Sequence, residues 1–185
     1  MDTRSRILWI TRTAIFIALL IAIQAVTQPL GQYVTGSLVN LILILSTLLG
    51  GLFSGVTVAL LSPVFAFLLG IGPAMPPVVP VIMLGNLVLV LAWHFIAGKA
   101  EGKKMLAMYP VALVVGAVVK FLVLYLGIVQ LVLPFILKLP EGPTAVLTAS
   151  FSYPQLITAA LGGLAACLIA PPLKRILTKS PAAPQ

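Results

Sequence analysis

Hydrophobic runs of about 20 residues, separated by short segments rich in Gly, Pro or charge, fill most of the chain. A helix of that length crosses roughly 30 Å of hydrocarbon. The alternating pattern of β-barrel strands is not seen, and helices satisfy their own backbone hydrogen bonds in lipid. The pattern predicts an all-α membrane protein, with six transmembrane helices in one compact bundle. The predicted domain is 1–185, with approximate spans 8–28, 37–50, 55–71, 81–98, 106–134 and 152–173.

The segments between these runs are predicted to be loops. Residues 28–36, 72–80 and 135–151 each contain both Gly and Pro, which commonly interrupt helices. Six spans place both termini on the same side of the membrane. Because Lys and Arg are enriched in cytoplasmic segments, their distribution predicts that both termini are cytoplasmic. The basic residues on that side are Arg4, Arg6, Arg12, Lys99, Lys103, Lys104, Lys174, Arg175 and Lys179, against Lys138 in the loops of the other side.

The composition supports a membrane protein and disfavours other classes. The chain is 61% hydrophobic and 8% charged, whereas soluble domains carry about 25% charge. Its net charge of +8 comes from basic residues beside the hydrophobic runs, which indicates membrane orientation and a lipid bilayer as partner, with no nucleic acid. The single cysteine, Cys167, excludes a disulfide or a cysteine metal cluster within the chain. We expect neither a metal site nor a cofactor.

Several kinds of chemistry are absent from the predicted spans. They contain no Asp or Glu, and proton- or sodium-coupled carriers commonly use such a residue to exchange charge. His94 has no Cys, Asp or Glu close to it in its helix, so a metalloenzyme or hydrolase centre is disfavoured. No phosphate-binding loop is present either. The chain is therefore predicted not to be an enzyme, and another chain would have to power any uphill transport.

Amide side chains recur in the outer halves of separate spans. Burying one unpaired amide in hydrocarbon is costly, so their coincidence predicts a polar cavity that opens to the exterior. Taken singly, each amide is equally compatible with a helix–helix hydrogen bond or a position near the headgroups. Tyr33, Tyr125 and Tyr153 could add stacking surface with a polar tip. The amides predicted to bind substrate are Gln24, Asn40, Asn86, Gln130 and Gln155.

Lys120 lies near the middle of the fifth span. A lysine at that depth costs about 2.5–3.5 kcal/mol on insertion scales. Its helix contains no acid, so its partners must be carbonyls, amides, water or a ligand. We expect Lys120 to face the cavity and meet an anionic or carbonyl-bearing substrate. A hydrated structural lysine is the alternative.

Small residues recur at every fourth position of the first span, at Ala14, Ala18 and Ala22. This spacing aligns them on one helix face. Close approach across small residues drives much of helix association in lipid. The strip is therefore predicted to be a docking surface, either for another helix of this chain or for another protein.

The chain resembles the substrate-binding S components of energy-coupling factor (ECF) transporters. The resemblance extends over nearly the whole chain, including the six predicted spans and the alanine strip. It is also carried by the segments 36–40, 50–51, 61–71 and 77–86, with their small, proline and amide residues.

The resemblance implies high-affinity binding of a vitamin or related micronutrient from outside a prokaryotic cell membrane. It implies delivery by docking on a membrane coupling (T) subunit that two ATPase subunits drive. In this family the alanine strip is the docking surface, and the outer loop between the first two spans closes the pocket. The gating residues would then be Gln28, Gln32 and Tyr33.

Several alternatives stay open from the sequence. Substrates compatible with the resemblance include cobalamin, pantothenate, pyrimidine precursors and queuosine-type bases. The other functions are a stand-alone small-molecule carrier or a membrane-embedded structural or assembly protein. A membrane-embedded enzyme is less favoured because the spans lack acids, nucleophile pairs and metal clusters.

Overall fold

The chain is helical through most of the residues that the structure describes. A computed structural model describes residues 3–179, without the side chains of Arg4 and residues 177–179. No strand occurs in this range. The prediction of an all-α chain is confirmed. The helices are α1 (Thr3–Thr27), α2 (Gln32–Gly50), α3 (Leu52–Leu68), α4 (Val79–Ala97), α5 (Lys103–Leu124), α6 (Glu141–Phe151) and α7 (Tyr153–Lys179).

Five helical stretches are long and apolar enough to cross a membrane: Ser5–Leu30, Gln32–Gly50, Pro76–Ala97, Lys103–Leu137 and Glu141–Ile176. The third predicted span corresponds to α3, which is apolar but has 17 residues. At a rise of 1.5 Å per residue it extends about 26 Å, at the short end of the range for transmembrane helices. The described residues thus contain five candidate spans and one shorter apolar helix. The six-span topology stays a prediction.

The prediction of a loop over residues 135–151 is wrong. α5 continues as a π-helix, Tyr125–Leu137, and α6 then occupies Glu141–Phe151. Pro140 immediately precedes α6, and Gly142 and Pro143 lie in its first turn. Backbone N–H groups in a first turn have no partner within the helix, so proline is tolerated there. The residues that indicate a loop mark the start of a helix here.

The connection between α1 and α2 is shorter than predicted. Gln28–Leu30 form one 3₁₀ turn, Gly31 has a positive φ of 88°, and α2 begins at Gln32. Gly36 belongs to α2, where it lies against α7. A Cβ atom at Gly36 would be 3.0 Å from the Cγ2 atom of Thr158. Gly36 therefore serves a close helix contact instead of a loop.

α2 is the central helix of the bundle. Its residues from Asn40 to Leu48 form an unbroken run of buried positions, as expected for a helix with neighbours on all sides. α2 packs against α1, α3, α4 and α7. α1 lies at the edge and packs against α2 and α3. Of the α1 side chains that the structure describes, Thr13 and Leu20 are buried, which leaves a broad face of α1 open.

Two apolar clusters form the core. The larger one includes Ile44, Leu89 and Trp93, and the smaller one includes Leu124 and Phe151. Along α4, Asn86 falls between members of the smaller cluster and members of the larger one. Along α5, Lys120 does the same. Asn86 and Lys120 thus lie at one level between two apolar regions.

Basic residues from distant parts of the sequence share one end of the bundle. The basic residues Arg12 and Lys174 line one cavity of about 700 Å³, together with the acidic residue Glu101 of the α4–α5 connection. The Nζ atom of Lys174 also donates to the carbonyl oxygen of Gly98, at 3.4 Å. This arrangement brings the beginning of α1, the α4–α5 connection and the end of α7 together. The side chains of Arg4 and Lys179 lie outside the described part of the chain. The assignment of this end to the cytoplasm stays a prediction.

Gly162 allows α7 to approach the backbone of α2 and offers a test of this packing. A Cβ atom at Gly162 would be 2.6 Å from the carbonyl oxygen of Ser37, so Gly162→Ala forces the helices apart. We expect a loss of about 1–3 kcal/mol of stability, or about 2–4 °C in Tm for each kcal/mol. Thermal unfolding of the purified protein in detergent measures it.

The matched control is Gly142→Ala in α6, where nothing lies within 4 Å of the added Cβ atom. Alanine has the better helix propensity, so this variant should unfold at the wild-type temperature or slightly above it. Equal Tm values for the two variants would contradict the close α2–α7 contact.

Candidate functional site

A buried lysine joins three helices at the level between the two apolar clusters. Lys120 of α5 is 4% exposed. Its Nζ atom donates to the Oδ1 atom of Asn40 on α2, at 2.6 Å, and to the Oδ1 atom of Asn86 on α4, at 2.7 Å. Both asparagines are also buried. Charge-assisted bonds of this length are the stronger kind of hydrogen bond, so the three helices are fixed relative to one another here.

This geometry also determines how the two asparagine amides are oriented. A lysine amino group donates through its N–H groups, so each amide must present its oxygen to it. The NH₂ groups of Asn40 and Asn86 consequently face elsewhere. The Nδ2 atom of Asn40 donates to the Oγ1 atom of Thr158 on α7, at 3.4 Å. The Nδ2 atom of Asn86 has no hydrogen-bond partner among the described residues.

Lys120 and both asparagines line a cavity of about 120 Å³, which we call the polar cavity. Five of the residues predicted to bind substrate line it, and they come from five helices: α1, α2, α4, α5 and α7. The residues brought together are Gln24, Asn40, Asn86, Lys120 and Gln155. The remaining lining residues are Gln32, Thr35, Gly36, Val39, Ser62, Pro63, Ala66, Pro73, Ile82, Leu124 and Phe151.

Two glutamines of the polar cavity are held by backbone carbonyl groups. The Nε2 atom of Gln24 donates to the carbonyl oxygen of Ile71, at 3.0 Å. The Nε2 atom of Gln155 donates to the carbonyl oxygen of Ser150, also at 3.0 Å. A carbonyl oxygen only accepts, so each amide must turn its nitrogen toward it. The Oε1 atoms of Gln24 and Gln155 are left as acceptors.

Three of the predicted substrate-binding residues do not line the polar cavity. Gln130 is exposed, and its Nε2 atom donates to the hydroxyl oxygen of Tyr125, at 3.0 Å. Tyr125 stacks on Phe121 with a centroid distance of 5.6 Å. Tyr153 is 64% exposed. Counting residues from the helix ends predicts the depth of a side chain but not the face on which it lies, and the i→i+5 bonding of the π-helix changes that face.

Of the three predicted gating residues, one lines the polar cavity and two do not. Gln32, in the first turn of α2, lines the polar cavity together with Thr35. Gln28 and Tyr33 are exposed and do not line it. The Oγ1 atom of Thr35 donates to the carbonyl oxygen of Thr27, at 2.7 Å. This bond connects the beginning of α2 to the end of α1 beside the cavity.

Two buried hydroxyl groups at this level were not predicted from the sequence. Ser62 of α3 is 2% exposed and lines the polar cavity. Its Oγ atom has no hydrogen-bond partner among the residues that the structure describes. Thr158 of α7 is fully buried and accepts from Asn40. Both are polar side chains within apolar helices. The prediction of the cavity from the sequence used this feature for the amides and Lys120 but not for hydroxyl groups.

The alanine strip lies on the open face of α1. Ala14, Ala18 and Ala22 are all exposed, so no helix among the described residues covers them. The strip was predicted to dock either on another helix of this chain or on another protein. Within the described bundle, no other helix packs on it.

No group of three His, Cys, Asp or Glu side chains within residues 3–179 is arranged to hold a metal ion. His94 instead makes an edge-to-face contact with Phe95, with ring centroids 5.3 Å apart.

Comparison with known proteins yields one family. The family model described as "ECF transporter, substrate-specific component" matches residues 11–174. This range includes the alanine strip, all residues of the polar cavity and the cavity lined by Arg12 and Lys174. Comparisons with curated proteins and with solved structures find no match. The family match covers most of the chain and agrees with its apolar helices, and we conclude that this multi-pass membrane protein belongs to the ECF transporter substrate-specific component family.

Proposed function

We propose that this protein is the substrate-binding subunit of an ECF-type importer and binds a vitamin-like molecule with high affinity in the polar cavity. One observation carries the proposal. Hydrogen-bonding side chains from six helices, α1 to α5 and α7, converge on one cavity inside an otherwise apolar bundle. The groups that the bundle does not pair itself, such as the Oγ atom of Ser62, are costly in a membrane protein unless a polar ligand uses them. The family match supports a substrate-binding role for that cavity.

The proposed transport cycle uses two surfaces of the chain. The substrate enters from the exterior, near the beginning of α2, where Gln32 and Thr35 line the cavity. The open face of α1 docks on the membrane coupling subunit, to which two ATPase subunits supply the energy. Ala14, Ala18 and Ala22 suit this role because their small side chains allow another helix to approach closely.

In the proposed topology six helices span the cell membrane of a prokaryote and both termini are cytoplasmic. α3 is the shortest span, and α6 lies at the outer end of the bundle. The shared location of Arg12, Lys174 and the α4–α5 connection at one end supports this orientation, because basic residues are enriched on the cytoplasmic side.

The docking surface can be tested without knowing the substrate. Ala18→Trp places a bulky ring on the open face of α1 and should reduce complex formation about tenfold or more, equivalent to about 1.4 kcal/mol. The measurement is recovery of co-expressed coupling and ATPase subunits with the tagged protein.

Ala107→Trp is the matched control, because Ala107 is an exposed alanine on a different helix, α5. It should leave recovery at the wild-type level. Equal recovery with the Ala18 and Ala107 variants would refute docking through the strip, whereas loss of the folded Ala18 variant itself would indicate a role in internal packing.

The orientation can be tested with a pair of exposed glutamates. Glu101 precedes α5 and Glu141 begins α6, so the proposal places them on opposite sides of the membrane. In a Cys167→Ala background, Glu141→Cys should react with a membrane-impermeant maleimide in intact cells. Glu101→Cys should react only after permeabilisation. The reverse pattern, or labelling of both in intact cells, would exclude the proposed topology.

A further inference from the structure

The deep part of the polar cavity offers hydrogen-bond donors. Lys120 directs two N–H groups at the oxygens of Asn40 and Asn86, which forces both asparagine NH₂ groups away from it. One N–H of the Asn40 amide is directed at Thr158. The Asn86 NH₂ group has no partner among the described residues. We call the N–H groups that these bonds do not use, one each on Lys120 and Asn40 and two on Asn86, the donor cluster. Donors around one cation are complementary to an anion.

Among the residues that the structure describes, no acidic side chain lies near the cavity to neutralise Lys120. The whole chain contains three acidic residues, namely Asp2, Glu101 and Glu141. Glu101 and Glu141 are exposed at the ends of the bundle, and Asp2 lies outside the described residues. A buried ionised group without a partner of opposite charge is strongly unfavourable. A negatively charged substrate would supply the missing counter-charge.

One lysine matches one negative charge. Lys120 is the single Lys or Arg among the residues that line the polar cavity. A phosphate monoester carries about 1.5–2 negative charges at neutral pH and would leave part of its charge unpaired. A carboxylate carries one charge, and its two oxygens accept several hydrogen bonds. The donor cluster therefore fits a carboxylate better than a phosphate.

A buried hydroxyl group adds an independent indication of a ligand. The side chain of Ser62 is only 2% exposed, and its Oγ atom has no hydrogen-bond partner in the described part of the chain. Leaving such a group unsatisfied costs about 1–3 kcal/mol. Because Ser62 lines the polar cavity, a substrate that hydrogen-bonds to it would remove this cost.

The other lining residues describe the rest of the substrate. The apolar lining consists of aliphatic side chains, prolines and one aromatic residue, Phe151, so it offers a single aromatic surface on which a planar ring could stack. The free Oε1 atoms of Gln24 and Gln155 are suited to accept from hydroxyl or amide groups. These features favour a flexible aliphatic body with polar O–H or N–H groups.

We propose that the substrate is an aliphatic carboxylic acid bearing hydroxyl or amide groups, with its carboxylate bound by the donor cluster and by Ser62. This inference rests on the proposed function, since it assigns the chemical class of the molecule that the binding subunit captures. Among the candidate substrates that the resemblance implies, pantothenate has this chemistry.

The test compares acids with neutral molecules of nearly the same shape. The probe pairs are pantothenate with pantothenol, biotin with biotinamide, and nicotinate with nicotinamide, measured by thermal shift and calorimetry on the purified full chain. We expect at least one aliphatic acid to bind, and its neutral counterpart to bind about tenfold to 100-fold more weakly.

Each other outcome counts against the proposal. Equal binding of an acid and its neutral counterpart, or absence of binding by every acid, overturns it. Binding of nicotinate alone overturns the aliphatic part. Binding of a neutral probe would refute the charge assignment while leaving the protein a substrate-binding subunit, and recovery of coupling and ATPase subunits tests that function separately.

Asn86→Asp tests the missing counter-charge within a nearly unchanged shape. A carboxylate at this position lies 2.7 Å from the Nζ atom of Lys120 by the wild-type geometry, so the protein itself neutralises the lysine. Affinity for the acid probe should fall about tenfold to 100-fold.

Gln130→Glu, the control, introduces an acid at an exposed position outside the polar cavity. It should leave the affinity unchanged. Retention of wild-type acid binding by a folded Asn86→Asp variant would overturn the proposal, as would an equal loss in both variants.

Ser62→Ala tests the unpartnered hydroxyl. The substitution removes an unsatisfied group, so the protein should fold at least as stably as the wild type. Binding of the acid probe should weaken about fivefold, the effect of one neutral hydrogen bond.

Ser46→Ala is its matched control, because Ser46 is equally buried but donates to the carbonyl oxygen of Leu43 and does not line the cavity. Its affinity should equal that of the wild type. Unchanged affinity in Ser62→Ala would remove Ser62 from the proposed site.

Discussion

The hydrogen bonds of Lys120 are the constraint on which the interior of the bundle depends. A lysine in the middle of a membrane helix is costly, about 2.5–3.5 kcal/mol on insertion scales, and it requires acceptors close by. The oxygens of Asn40 and Asn86 provide them at 2.6 and 2.7 Å. Because the two asparagines lie on different helices, meeting this requirement fixes α2, α4 and α5 relative to one another.

The apolar packing places this polar level and limits its extent. α2 has neighbours on all sides, so Asn40 can reach α5 and α7 from the centre of the bundle. The larger apolar cluster lies on one side of Lys120 along α5, and the smaller cluster lies on the other. The fold thus produces one compact polar cavity, although its polar residues are widely separated in the sequence.

α1 connects the two surfaces of the proposed function. One face of α1 bears the exposed alanine strip. Gln24, near the C-terminal end of α1, lines the polar cavity and donates to the carbonyl oxygen of Ile71, in the connection that follows α3. α1 packs against only α2 and α3 among the major helices. If the protein docks through α1 as proposed, a displacement of α1 would change the cavity lining while disturbing few helix contacts, and this would couple docking to release.

The helical class could be predicted from the sequence because it follows from counting along apolar runs, and the depth assigned to the polar residues by the same counting stays a prediction. It placed Asn40 and Asn86 in the outer halves of their spans and Lys120 near the midplane facing the same cavity, and all three line the polar cavity. It did not determine the face of each helix, so Tyr125 and Gln130 were grouped with residues from which the structure separates them. α6 was missed because Pro and Gly in a first helical turn resemble the residues of a loop. The role of Ser62 depends on packing between helices, which no local pattern encodes.

The size of the polar cavity constrains how a substrate is captured. At about 120 Å³ it is smaller than the roughly 300–1,000 Å³ of most small-molecule sites and close to a cavity of about 150 Å³ that accommodates benzene. In the proposed site the donor cluster and Ser62 would bind the carboxylate in that space, and the rest of a vitamin-sized substrate would extend from it along the other lining residues toward the opening of the cavity. A substrate larger than the present space would require the lining to move, and the beginning of α2 is placed to do so, since Gln32, Thr35 and Gly36 line the cavity just after Gly31. Such a movement would rearrange the Thr35–Thr27 bond, and only a ligand with higher affinity for the rearranged conformation would populate it.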